Sequence, residues 1–194
     1  MDKSGKKYSL ITLPNVELRK KSTKVGAVND DIKDIIKSME KVLLIWESDR
    51  EHEVGVALAA IQINVPMRIV IIRNNLDDKE NHTFDVFINP IITKYEGEIE
   101  EDYEGCLSIQ DIYGKVPRHS KVKIKATDLK GNPVRYTAKG FLARVFQHEI
   151  DHTNGKLFID HIKNHEKAFY QLMPDGKLQE LDYEKDVEKN NILW

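Results

Sequence analysis

A chain of 194 residues suffices for one domain, or one domain with an appendage. Hydrophobic residues at 40% and charged residues at 32% give a core under a well-solvated surface, and 30 basic against 32 acidic side chains leave a formal charge of −2, which excludes broad nucleic-acid binding through excess positive charge. The single cysteine, Cys106, excludes an intrachain disulfide and suits a reducing compartment; no apolar run approaches the roughly 18 residues of a membrane span, and the lysine-rich start, Met1 to Tyr8, lacks the apolar stretch of a secretory signal, so the expected location is cytoplasmic.

In chain order, the first predicted element is a helix from Asp30 to Trp46, capped by Asn29 or Asp30. Its apolar residues Ile32, Ile35, Ile36, Met39, Val42, Leu43 and Trp46 recur at intervals of three and four. Such a stripe must be buried, most simply on a sheet. Gly55 to Gln62 reads as an apolar strand or a packed loop. Arg68 to Arg73 is a β-branched strand between Pro66 and Asn74, followed by a polar surface loop from Asn74 to His82. Thr83 to Asn89 is a strand ended by Pro90, with Ile91 to Tyr95 continuing after a bend. The acidic run that follows, Glu96 to Glu104, reads as a solvated loop.

Lys121 to Thr127 alternates strictly, with Val122, Ile124 and Ala126 on one face. Turn chemistry at 128–132 lets Pro133 to Ala138 return as a hairpin partner. Gly140 to Thr153 reads as a second helix, stopped by Asn154-Gly155 and apolar over so much of its circumference that it must be buried. From His165 onward the chain is polar with little apolar rhythm, apart from a turn signal at Asp175-Gly176. The expected fold is therefore α+β: antiparallel or mixed sheets packed around a buried central helix, with an amphipathic helix before them. The domain expectation is one domain over residues 1–164 and a polar C-terminal extension over 165–194.

The buried helix carries His148-Glu149-Ile150-Asp151-His152. Histidines four apart on a helix are separated by about 6 Å of rise and point within about 40° of each other, so both rings reach one ion. Glu149 lies about 100° further round, placed to meet a water on that ion rather than forced to ligate it. HExxH is short enough to arise by chance, but buried imidazoles need partners, and a cation supplies both at once. A third ligand is then required, with Cys106, a downstream histidine or a carboxylate as candidates. HExxHxxG opens the metzincin protease pattern, which next needs histidine at 158; this chain has Phe158, and His161 and His165 fall at other spacings. A lone cysteine is more often a small buried hydrophobe. Here Gly105 beside it permits close backbone approach and Leu107 has strand character. A Cys/His/His set suits Zn²⁺, Fe²⁺, Co²⁺ or Ni²⁺ rather than Mg²⁺ or Ca²⁺.

Three segments, GVALAAIQ (55–62), EGCLS (104–108) and QHEIDH (147–152), resemble, in order, the peptide deformylase motifs GxGLAAxQ, EGCLS and QHExDH. Further likeness lies in ITLPNVELRKKS, FINP, YGKVPR and GKLFID, so the resemblance runs over residues 8–163. It departs at Ala57, where the motif has its second glycine; a methyl there would narrow the cleft or alter a loop needing unusual dihedrals. The resemblance implies a metal-dependent hydrolase that removes the formyl group from N-formylmethionyl nascent chains. Cys106, His148 and His152 would hold one divalent ion, Fe²⁺ in cells, with Zn²⁺, Ni²⁺ or Co²⁺ acceptable in a preparation, and water at the fourth position. Glu149 would act as general base and then acid, and the Gln62 amide and the Leu107 N–H would stabilise the oxyanion. Gly55 and Gly105 would offer backbone contacts to the extended peptide, while Val56, Phe141, Val145 and His148 would border the methionine pocket. Glu104 would anchor a ligand, and Gln147 would hold either a ligand or the local structure. The implied partners are formylated nascent peptides and, transiently, the ribosome, with no sequence-specific nucleic-acid or membrane binding. The rival readings are a zinc endopeptidase ligated elsewhere and a non-catalytic nascent-chain binder.

Overall fold

The first helical stripe buries as its spacing requires. In the computed structural model, which describes residues 7–76, 82–189 and 192–193, helix α1 (Asp30–Ser48) starts where the Asn29 side chain accepts the Ile32 N–H and runs two residues past Trp46. Its buried residues Ile32, Ile35, Ile36, Met39, Val42 and Leu43 pack on Leu58, Ile69, Ile71 and Ile88.

Those four belong to one face of an antiparallel sheet. Its strands are β1 (Ala57–Ala59), β2 (Ile69–Arg73), β3 (Phe84–Cys106), β4 (Ile109–Thr127), β5 (Pro133–Lys139), β6 (Phe169–Leu172) and β7 (Leu178–Glu180). The order is β1-β2-β3-β4-β6-β7, with β5 also pairing β4. Because side chains alternate along a strand, the neighbours Ala57, Ala59, Val70, Ile72, Phe87, Val122 and Ile124 face the other way. There they pack on Val145, Phe146 and Ile150 of helix α2 (Gly140–Thr153). That helix has ten buried residues, and Asn154 caps its end. Gly155 follows at φ 74°. A Cβ there would lie 2.7 Å from the Arg19 carbonyl carbon, so the chain leaves the helix where only glycine fits.

One expectation fails, the solvated loop at Glu96 to Glu104. These residues continue β3, a single strand of 23 residues that runs through Pro90 and pairs with β4 through Tyr95↔Val122, Glu100↔Arg118 and Glu104↔Gly114. Proline is tolerated because it sits at a register shift between Ile88 and Ile91, a place in the ladder that needs no donor. Asn89 turns there at φ 55° and is held by two hydrogen bonds of 2.8 Å with the Val25 backbone. The acidic run shows no alternation because most of its side chains are exposed. Glu96 is instead paired with Lys94, Lys121 and Lys123.

Residues 165–194, expected as a polar extension, contain two strands among those described. β6 adds to β4 through Ile112↔Gln171, Tyr113↔Tyr170 and Gly114↔Phe169, and β7 returns on β6. The turn at Asp175-Gly176 forms, with the Met173 N–H donating to the Lys177 carbonyl at 2.8 Å. A π-helical turn over Tyr183–Glu188 then brings Val187 into one cluster with Cys106, Ile109, Val116, Phe158, Ile162 and Phe169. Among the described residues the expected boundary at 164/165 is therefore no break in the packing. The loop expected at Asn74 to His82 falls partly outside the described residues, at 77–81.

Candidate metal centre and cleft

β3 ends on Cys106, and Leu107 and Ser108 turn the chain into β4. Leu107 is thus a turn residue rather than a strand residue. Beside this turn lies α2, with His148 and His152 on the face that meets it. The Cys106 Sγ is 3.3 Å from His152 Nε2, and His152 Nε2 is 3.2 Å from His148 Nε2. The three donor atoms lie within 4.8 Å of one another, and all three residues are buried or nearly so.

The ring orientations have a cause. His148 Nδ1 is 3.0 Å from Glu104 Oε2. That contact keeps the Nδ1 proton and leaves the Nε2 lone pair facing Cys106 and His152. Glu104 is itself fixed. Its Oε1 accepts from Arg118 Nε at 2.8 Å and from Arg144 Nη1 at 2.9 Å, and its Oε2 accepts from Arg118 Nη2 at 3.0 Å. Burial alone would raise the Glu104 pKa, but His148 and Arg118 hold it well below the usual carboxylate range. Arg118 also donates to Asp151 at 2.6 Å, and Arg144 donates to the Val116, Glu100 and Asp102 carbonyls. A sulfur and two imidazole nitrogens converging in a desolvated spot repel one another unless a cation lies among them, and the donor set fits a borderline-soft divalent ion.

Glu149 is buried, and its Oε2 has no partner among the described residues. Burial raises its pKa to about 7, with His148 opposing the shift, so this carboxyl exchanges protons near neutrality. Gln62, in the 3-10 turn Ala60–Ile63, accepts the Ala59 N–H at 2.9 Å through Oε1. Its Nε2 donates to Ser108 Oγ at 3.2 Å and lies 3.7 Å from Cys106 Sγ. The oriented amide N–H therefore sits at the sulfur side of the cluster.

These groups open on a cavity of about 210 Å³. Of the residues expected at the site, Val56, Gln62, Gly105, Cys106, Leu107, Phe141, Val145, His148 and Glu149 line it; His152 stands behind, 1% exposed. Gly55 is not among the lining residues, and its N–H donates to Glu47 Oε2 at 3.0 Å. Ala57 lines the cavity too and pairs regularly with Ile72 in β1. Its φ is not in the left-handed region, so its methyl meets no unusual dihedral there. Gln147 serves the local structure: its amide bonds to both the N–H and the carbonyl of His119, at 3.2 and 2.9 Å.

Other lining residues escaped sequence reasoning: Trp46, Glu53, Val54, Tyr103, Tyr113 and Arg144. Tyr113 belongs to the YGKVPR segment, which was the one available signal. Its hydroxyl donates to Glu53 Oε1 at 2.7 Å, and its ring lies where a Cβ on Gly105 would come within 2.7 Å, so packing against Tyr113 calls for glycine at 105.

The family model for polypeptide deformylase matches residues 7–168. Peptide deformylase 1 of Pseudomonas syringae pv. tomato is 38% identical over 157 residues, 80% of this chain and 87% of that protein. The peptide deformylase of Brachyspira hyodysenteriae is 38% identical over 160 residues, 81% of this chain and 82% of the relative. Among solved structures, a Synechococcus elongatus peptide deformylase in complex with actinonin superposes with a TM-score of 0.72 at 34% identity, covering 83% of this chain and 84% of that one. A Legionella pneumophila peptide deformylase gives 0.68 at 38% identity, covering 78% and 83%.

Proposed function

The chain belongs to the polypeptide deformylase family, whose enzymes remove the formyl group from N-formylated nascent peptides, and from that premise we propose how its own residues perform the reaction. Cys106, His148 and His152 would hold one divalent ion, Fe²⁺ in cells, with Zn²⁺, Ni²⁺ or Co²⁺ acceptable in a preparation. The bound ion supplies positive charge that lowers the pKa of water and offsets the developing oxyanion. Glu149 takes the proton of the attacking water and later delivers it to the departing amine, a task that its pKa of about 7 suits. The Gln62 amide N–H and the Leu107 backbone N–H donate to the carbonyl oxygen as it gains charge. Val56, Phe141 and Val145 receive the methionine side chain, Ala57 sets the width of that pocket, and the Gly105 backbone meets the extended peptide.

The observation that carries this reading is the convergence of Cys106, His148 and His152 with a protonatable Glu149 beside them. On this reading the partner is the formylated nascent chain, met transiently at the ribosome in the cytoplasm, and residues 7–189 act as one catalytic unit. Among the described residues, no helix is long and apolar enough to cross a membrane.

The test is formate release from formyl-Met-Ala-Ser, with Fe²⁺ under anaerobic conditions and Zn²⁺ in parallel. The expected result is turnover by the metal-loaded chain, and loss of both metal and turnover in Cys106→Ala. A Cys106→Ala protein that keeps its metal and cleaves peptide bonds would instead be a protease ligated elsewhere. Metal bound without turnover in the unaltered chain would leave the binding module.

A further inference from the structure

We infer that the Glu47–Arg73 ion pair is a positioning element for substrate, fixing the Gly55–Val56 stretch that walls the peptide cleft. The inference rests on the deformylase reading, since Val56 is a substrate wall only if the cleft receives the peptide. Arg73 holds this stretch at both ends. Its backbone N–H donates to the Val56 carbonyl at 2.8 Å. Its Nη1 donates to Glu47 Oε1 and Oε2 at 3.1 and 2.9 Å, and Glu47 Oε2 in turn accepts the Gly55 N–H at 3.0 Å.

The pair is well shielded: the Arg73 side chain is 0% exposed and that of Glu47 16%. Packing locates one side of the stretch more firmly than the other. On one side Gly55 presses on α1, where a Cβ would meet Leu43 Cγ at 2.8 Å. On the other side Val56 lines not only the catalytic cavity but a second one of about 380 Å³, shared with Phe141 and bordered by Arg73 itself. Val56 is thus a partition between two cavities, packed at its edge on the core cluster that holds Ile72, Val145 and Phe146. A partition of that kind keeps its place through hydrogen bonds to a rigid neighbour: the Arg73 main chain holds the Val56 carbonyl, and the Glu47 carboxylate, itself held by the Arg73 guanidinium, holds the Gly55 N–H.

The reacting groups come from other elements: the β3–β4 turn, α2 and the 3-10 turn at Gln62. Loosening the partition therefore weakens peptide binding in ground and transition states alike, which raises KM and spares kcat. Removing Glu47 alone would leave the buried Arg73 guanidinium with His82, at 2.9 Å, and no carboxylate, which threatens the fold, whereas replacing both charges by apolar side chains of similar volume is commonly tolerated.

The experiment compares E47L/R73M and Glu47→Gln with the unaltered chain. The readouts are formyl-Met-Ala-Ser kinetics, metal content, thermal unfolding and hydrogen exchange of the amides at 55–57. In E47L/R73M we expect faster exchange at 55–57 and a KM raised about tenfold with kcat within about twofold, the signature of lost uniform binding. Glu47→Gln keeps an acceptor for Gly55 but weakens the grip of Arg73, and a rise in KM of about threefold is expected. A folded, metal-replete E47L/R73M with unchanged KM and unchanged exchange overturns the inference. Should that double variant not fold, the same null result in Glu47→Gln overturns it. An unaltered chain that releases no formate fails the deformylase reading instead, and exchange at 55–57 then still decides whether the pair holds the stretch.

Discussion

Glu104 and Glu47 are the same chemical device used in two regions of the molecule. Each is a shielded carboxylate gripped by arginine: Glu104 by Arg118 and Arg144, Glu47 by Arg73. They differ in the partner beyond arginine. Glu104 ends on the His148 ring, which faces the metal cluster, and Glu47 ends on the Gly55 N–H, which belongs to the peptide wall. A buried ion pair contributes little net stability once desolvation is counted, so its value lies in what the carboxylate orients besides its arginine. The chemistry side of the cleft and the binding side should therefore fail in different ways when perturbed.

The largest effect is expected where the reacting proton is handled. Glu149→Gln keeps shape and burial but removes the base, and kcat should fall by about 10²- to 10⁴-fold with metal content unchanged. Metal analysis beside single-turnover formate release checks this. A variant retaining most of its kcat would show that the proton passes elsewhere and would remove Glu149 from the chemistry side.

Glu104→Gln comes next. The glutamine still reaches His148, but without the charge that makes Nε2 a better ligand. Metal affinity should drop by about 10- to 100-fold, as for other partners that orient a ligand from behind. Turnover per bound metal should stay near that of the unaltered protein. Arg118 keeps Asp151 and Arg144 keeps its three carbonyls, so neither guanidinium is stranded. Competition with a chelator of known affinity measures the drop. Unchanged metal binding with a raised KM would erase the distinction between the two carboxylates.

The sequence made one of these regions far easier to read than the other. The Cys106, His148 and His152 cluster was legible because two ligands lie within one helical turn and the third sits in a motif of fixed order. Both long helices were legible from apolar spacing, since a periodic stripe demands burial. What carried no local signal was pairing over distance. Arg118, Arg144, Arg73 and Glu47 look like ordinary surface charges until the fold brings them together, and Tyr113 looks like a strand residue. The acidic run of β3 was misread because a two-stranded ribbon solvated on most of its surface loses the alternation that betrays a strand. The C-terminal strands were missed because they are short, and only a few apolar side chains, Phe169 and Val187 among them, tie them to the core.

Tyr113 offers the smallest and most discriminating prediction, because it touches both regions. Its ring packs at Gly105, next to Cys106, while its hydroxyl reaches across to Glu53 on the segment leading to Val56. Tyr113→Phe preserves the ring and deletes only the hydroxyl. Glu53 keeps Arg50, at 3.4 Å, so it is not left without a partner. Loss of one hydrogen bond of this kind costs about 1 kcal/mol, which for a domain of this size lowers Tm by about 2–4 °C. If the hydroxyl serves the binding side, KM rises by about two- to threefold while kcat and metal affinity stay put. A fall in kcat with KM unchanged would mean that the 50–54 segment bears on the reacting groups through Gly105, and the division between a side that binds and a side that reacts would not survive it.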